Sequence, residues 1–166
     1  SIFLVQLISQ SSNIPMLEYS QSLNDALPFQ MGSILLTYLL GIHMGVIFTL
    51  LNGILVGHLF KANFYLLVFT LVGGIAGVYG TKRHGKSMTS AFKAGVFLVA
   101  PINCVILIIF HLLRESIGPL SLISSEIIMG ILGGVLSGAL AFLFIPIFEN
   151  TFGILTQSKL NDLINS

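Results

Sequence analysis

The sequence predicts an all-α protein, a polytopic bundle of about six transmembrane helices of which the first is partial. Two observations lead there. Of the 166 residues, 55% are hydrophobic and 8% charged, whereas a soluble domain carries roughly 25% charged residues. The mean hydropathy is +0.99, and no water-soluble surface can be made from such a composition. The apolar runs also approach or exceed the ~17–25 residues with which a helix crosses the hydrocarbon core.

Taken in order, the expected spans are 1–8, 29–41, 44–60, 63–81, 92–113 and 122–148. The first is a short apolar tail, Ile2 to Ile8, followed by the polar stretch Ser9 to Pro28, which reads as a loop outside the hydrocarbon. The block Phe29 to Phe60 is too long for one crossing at ~1.5 Å per residue, so it must fold back on itself. Gly41-Ile42-His43 is the natural break, because glycine accepts a tight turn and histidine can face headgroups. His58 and Lys61 mark the next interface, and the span after it ends at the basic segment Thr81 to Lys86. Arg114, Glu115, Gly118 and Pro119 separate the last two spans, and residues 156–166 form a polar juxtamembrane linker after a bundle over 1–155.

Lys and Arg favour cytoplasmic loops. With Lys82, Arg83 and Lys86 inside, Lys93 and Lys159 fall inside as well, and Lys61 and Arg114 outside. The expected location is a bacterial inner membrane with the C-terminus in the cytoplasm. The start has no basic flank of a secretory signal peptide and no initiator Met, and the chain stops within a polar helical pattern. Both ends read as cuts through a longer polypeptide.

Lipid gives helices no hydrophobic reason to associate, so small residues must supply close packing. Gly41 and Gly45, Gly53 and Gly57, and Gly73 and Gly77 are each four apart, and Gly130, Gly134 and Gly138 form a double repeat with Ser137 beside it. These are packing faces within one subunit or, through the Gly130 face, a homodimer contact. Polar groups inside spans are costly enough to raise a functional hypothesis. Asn52 and Asn103 lie near mid-span, where an amide can fix helix register or line a ligand pocket; His111 and Glu126 lie near helix ends, within reach of water or headgroups.

Several functions are excluded. A net charge of +1 offers no electrostatic footprint for nucleic acid. Cys104 is the single cysteine, so no internal disulfide or multi-cysteine metal site exists. No zinc motif, phosphate loop or nucleophile elbow appears, and the four histidines lack ligand spacing. No catalytic residue, cofactor or metal site is expected in this chain; its partners are the lipid bilayer and an unidentified small ligand.

Near the end, Pro146, Glu149, Phe152, Gly153, Ile154 and Thr156, followed by Leu160 and Leu163, resemble the junction between membrane bundle and cytoplasmic HD domain in the seven-transmembrane receptors with intracellular HD hydrolase. Leu71 to Tyr79, the basic turn, and Phe92-Lys93-Ala94-Gly95 are similar to that family's glycine-rich span, basic turn and next span. Phe148 and Asp162 depart from its usual leucine and glutamate, and the turn at Gly41 lacks its usual arginines. The resemblance implies a receptor-type cyclic di-AMP phosphodiesterase with an extracellular domain before this chain. It also implies a metal-dependent HD phosphohydrolase after it, with the divalent metals held there. On that reading the bundle senses or anchors, Thr156 caps a coupling helix bearing Leu160, Leu163 and Ile164, and Pro146 with Gly153 forms the joint that passes movement on. The alternative is the substrate-binding membrane subunit of a vitamin transporter, with Asn52, Asn103 and His111 lining its pocket.

Overall fold

The structure, a computed structural model, describes residues 24–61, 63–85, 87–113, 120–153 and 157–166, and among them every regular element is a helix. The six are α1 (Met31–Leu40), α2 (Ile42–Leu59), α3 (Phe64–Arg83), α4 (Thr89–Leu113), α5 (Leu120–Phe152) and α6 (Gln157–Asn165). Helices α2 to α5 are long and apolar enough to cross a membrane. The expected span over 1–8 lies outside the described residues.

The helix boundaries follow from local chemistry. Gly41 separates α1 from α2 at φ 99° and ψ 173°, a conformation essentially reserved for glycine. Asn63 caps α3 by accepting the Tyr65 N–H at 3.0 Å, and Lys82 and Arg83 sit in its last turn, where cations suit the negative end of the helix dipole. Ser87 accepts the Ser90 N–H at 2.8 Å with its carbonyl and the Thr89 N–H at 3.3 Å with its hydroxyl, which starts α4 three residues ahead of the expected residue 92.

Helix α1 is not a full crossing. Its 10 residues rise only ~15 Å, half of a ~30 Å core. It runs from Gln30 to the turn at Gly41, and residues 26–30 ahead of it form bends and turns. This half-span is nevertheless the central element, packed against α2, α3, α5 and the start of α4. Ile34, Leu35 and Leu39 anchor a core with Ala76 of α3, Ala91 and Val99 of α4, and Ala141 and Ile145 of α5. A second core of Phe69, Ile106 and Leu107 lies towards the opposite end, flanked by Phe29, Tyr65 and Phe110.

The closest helix pair is α4 with α5. A Cβ placed on Gly95 would meet the Gly138 Cα at 2.6 Å, and one on Gly134 would meet the Ala100 nitrogen at 2.5 Å, so the two backbones touch directly. At this contact α4 widens into a π-helical turn over Gly95–Val99, in which the Ala100 N–H reaches back to the Gly95 carbonyl. Pro101 follows at once. Proline has no N–H and its ring crowds the carbonyl four residues back, that of Phe97, and the wider turn accommodates it.

Two expectations about the ends need correcting. The last span does not stop at residue 148: α5 runs unbroken through Pro146 to Phe152 and ends at Gly153, φ 60°. A proline interrupts a ladder of hydrogen bonds locally, but bonds on either side carry the helix past it. Nor is residue 25 in a solvated loop, since Asp25 is buried and its backbone packs on Gly133 of α5.

Gly134→Val is therefore expected to destabilise the protein by about 3 kcal/mol or more, at or beyond the upper range for overpacking. Gly41→Ala, which meets open space but cannot take the backbone conformation readily, should cost about 1–3 kcal/mol. Unfolding of the two variants in a denaturing detergent titration checks both values.

Candidate functional site

Polar side chains converge at mid-depth of the bundle, where hydrocarbon leaves no water to satisfy them. Gln30, immediately before α1, is fully buried and stands level with the midpoints of three spans. Its amide oxygen accepts from the Ser137 hydroxyl of α5 at 3.2 Å, and its amide nitrogen faces the Asn103 oxygen of α4 at 3.5 Å, the long limit of a hydrogen bond. Asn103 in turn donates to the Gly130 carbonyl of α5 at 3.2 Å, and Ser137 also reaches the Gly133 carbonyl at 2.7 Å. Gly73 of α3 makes the room: a Cβ there would lie 2.6 Å from the Gln30 amide nitrogen and 2.9 Å from the Asn103 oxygen. One glutamine thus ties α1 to α3, α4 and α5.

A second polar contact fixes the α1–α2 hairpin. The Thr49 hydroxyl of α2 approaches the Ser33 hydroxyl of α1 at 2.8 Å and also bonds the Gly45 carbonyl at 2.8 Å. Gly74 of α3 lies against the same pair, 2.5 Å from the Thr49 methyl as a Cβ would measure it. Asn52 donates to the Phe29 carbonyl at 2.8 Å, so it closes a backbone group of the turn segment that precedes α1.

Two further pairs occupy the end of the bundle where α3 starts and α4 stops. Tyr65 donates its phenol to the Asp25 carboxylate at 2.7 Å, with the tyrosine ring edge-on to Phe110 at 4.9 Å. On the next residue of α4, the His111 Nδ1 lies 3.5 Å from a Glu126 carboxylate oxygen of α5, with 10% and 19% of the two side chains exposed. The expectation that headgroups or water solvate these two groups separately is replaced by a mutual contact inside the protein.

The residues singled out from sequence therefore divide. Asn103, Gly73 and Gly130 meet at one place, with Gly134 and Gly138 continuing the α4–α5 contact and Gly77 seated on Ile34, 2.8 Å from it as a Cβ would lie. Asn52, Asn103 and His111 do not line a common pocket: each spends its polar group on a different partner. Pro146 and Glu149 are half-buried on the last turns of α5, Phe152 is exposed at its end, and Thr156 lies outside the described residues. Sequence reasoning missed Gln30, Asp25 and Ser33. Gln30 and Ser33 fell unremarked within the expected span 29–41 and Asp25 within the expected loop, and nothing local to any of them names its distant partner. Among the described residues no three His, Cys, Asp or Glu side chains come together to hold a metal ion, so no metal-dependent step is derived from them.

A buried polar knot thus joins the start of α1 to α3, α4 and α5, in a bundle with four helices long and apolar enough to cross a membrane. The chain belongs to the family described as 7TM receptor with intracellular HD hydrolase, whose model matches residues 1–156. It is similar to the cyclic-di-AMP phosphodiesterase PgpH of Bacillus subtilis (strain 168), with 26% identity over an alignment of 144 residues that covers 83% of this chain and 20% of that protein. The chain thus spans about a fifth of the length of that relative. No solved structure matches it.

If Gln30 and Asn103 act through one network, their losses must not add. Gln30→Ala, Asn103→Ala and the double variant, unfolded in detergent, should show a coupling energy of about 0.6 kcal/mol and below about 1.7 kcal/mol, the range for polar contacts inside membranes. Strict additivity would mean that the two amides act independently.

Proposed function

We propose that this chain is the membrane module of a receptor-type, metal-dependent cyclic dinucleotide phosphodiesterase, and that α5 is the element through which it acts on a cytoplasmic catalytic domain. One observation carries the reading. Helix α5 is 33 residues long, ~50 Å against a ~30 Å core, and it is held at its midpoint by Ser137 and Gly130 and released at Gly153. A displacement at its outer half, where Glu126 meets His111, is passed along a continuous helix to the far side of the membrane. Family membership and the likeness to a cyclic-di-AMP phosphodiesterase support the choice of output.

On this reading the end carrying Lys82, Arg83 and Lys93 is cytoplasmic, since short loops rich in Lys and Arg stay inside. The extracellular domain and a small ligand outside or within the bundle are the inputs, and divalent metals belong to the HD domain. The junction Pro146, Glu149, Phe152, Gly153 and Thr156 is the exit. Pro146 lacks the N–H that would bond the Phe142 carbonyl, which leaves α5 more easily bent there than elsewhere. Gly153, at positive φ with open space around it, lets the chain change direction towards α6.

Two measurements test this. The gene sequence beyond Ser166 should encode an HD motif; a stop codon there with transporter genes alongside would support the transporter reading instead. In the full-length protein, Pro146→Ala should change how cyclic di-AMP hydrolysis responds to the input while leaving the metal requirement intact. An unaltered response would show that the joint lies elsewhere.

A further inference from the structure

We infer that the corner where α3 ends and α4 begins is a binding surface for the headgroup of an anionic phospholipid. Lys82 and Arg83 stand in the last turn of α3, and Lys93 is in the second turn of α4. The two helices meet at this level, where a Cβ on Gly80 would lie 2.9 Å from the Ala94 Cβ. All three cations therefore sit within about one helical turn of a single contact. Each is exposed, and none forms an ion pair or a side-chain hydrogen bond with a described residue. Against them the last turns of α5 bring one carboxylate, Glu149, which is half-buried and already engaged. The corner keeps a net positive charge that nothing described in the chain neutralises.

Its depth is that of a headgroup. Helix α3 has 20 residues and rises ~30 Å, matching the hydrocarbon core, so with Phe64 at one boundary Lys82 and Arg83 reach the other. Long cationic side chains near a helix end lay their stems along the apolar surface and put their charge among headgroups. Just beneath, Tyr79 is 56% exposed and Phe97 64% exposed, which gives a lipid's acyl chains aromatic walls below its phosphate. The corner is also fixed in shape. The His84 ring stacks on Phe97 with centroids 6.1 Å apart and donates from Nδ1 to the Gly80 carbonyl at 2.9 Å, which clamps the two helices from the headgroup side. Charge, depth and a rigid aromatic floor together fit a phospholipid with a net negative headgroup better than a soluble anion, which has no use for the exposed rings. The inference does not depend on the hydrolase reading.

The test uses the full-length protein in detergent, titrated with phosphatidylglycerol or phosphatidylcholine and followed by native mass spectrometry. Phosphatidylglycerol should be retained preferentially. Each of Lys82→Gln, Arg83→Gln and Lys93→Gln should lower that retention by roughly five-fold, and the triple variant by on the order of 100-fold, as expected for surface cations near anionic lipid. Lys61→Gln, at the opposite end of the bundle, should leave it unchanged. Equal retention of the two lipids, loss of retention in Lys61→Gln as large as in the corner variants, or displacement of the lipid by millimolar inorganic phosphate would overturn the inference. So would cross-linking of the three cations to the chain's own cytoplasmic domain in protein that retains no phosphatidylglycerol. The single variants keep the outcome decisive if the triple variant fails to fold.

Discussion

Everything in this bundle depends on a requirement imposed by hydrocarbon: a polar group that leaves water must find its partner inside the protein. Helix α1 begins at mid-depth, where that requirement is hardest to meet. Gln30 meets it by spreading one amide over two helices, with a glycine on a third leaving the space. The non-helical segment before it is served in the same manner by Asn52 and by the packing of Asp25 on α5. The polar contacts thus complement the apolar packing of Ile34, Leu35 and Leu39 that also holds the half-length helix at the centre of the fold.

The second organising contact is the backbone-to-backbone meeting of α4 and α5. Its glycines do more than allow proximity, because the contact coincides with the π-helical turn and with Pro101 just beyond it. An extra residue within a turn rotates everything that follows relative to an uninterrupted α-helix. The buried stripe of α4 is spaced accordingly: Ala91, Gly95, Ala100, Asn103 and Leu107 all face inward, with the longest step across the widened turn. Asn103 faces Gly130 and Gln30 because of that step. Proline, π-turn and polar knot are thus one construction, in which a defect in the helix aims an amide.

Much of this was legible in the sequence. The hairpin at Gly41, the apolar lengths of α2 to α4, and the glycines at helical spacing each follow from local rules. The basic end of α3 and the start of α4 were also visible as a cationic loop. The positions that escaped share one cause. Gln30, Asp25, His111 and Glu126 are polar residues whose meaning lies in a partner distant along the chain, which neither composition nor local pattern names. The length of α5 escaped for the converse reason. Glu149 and Asn150 look like the polar end of a span at residue 148, yet the helix continues through them to Phe152.

The half-length of α1 also has a bearing on how the protein is made. At ~15 Å it is too short to partition into a bilayer unaided, and α2 alone of its neighbours is close enough in sequence to enter beside it. The two helices form a hairpin at Gly41, joined in the folded protein by the Thr49–Ser33 contact. Gln30 then waits in the membrane for a serine 107 residues downstream. Of the described helices, the one made first is thus completed only when the last spanning helix arrives, so the polar centre of the bundle closes late in synthesis.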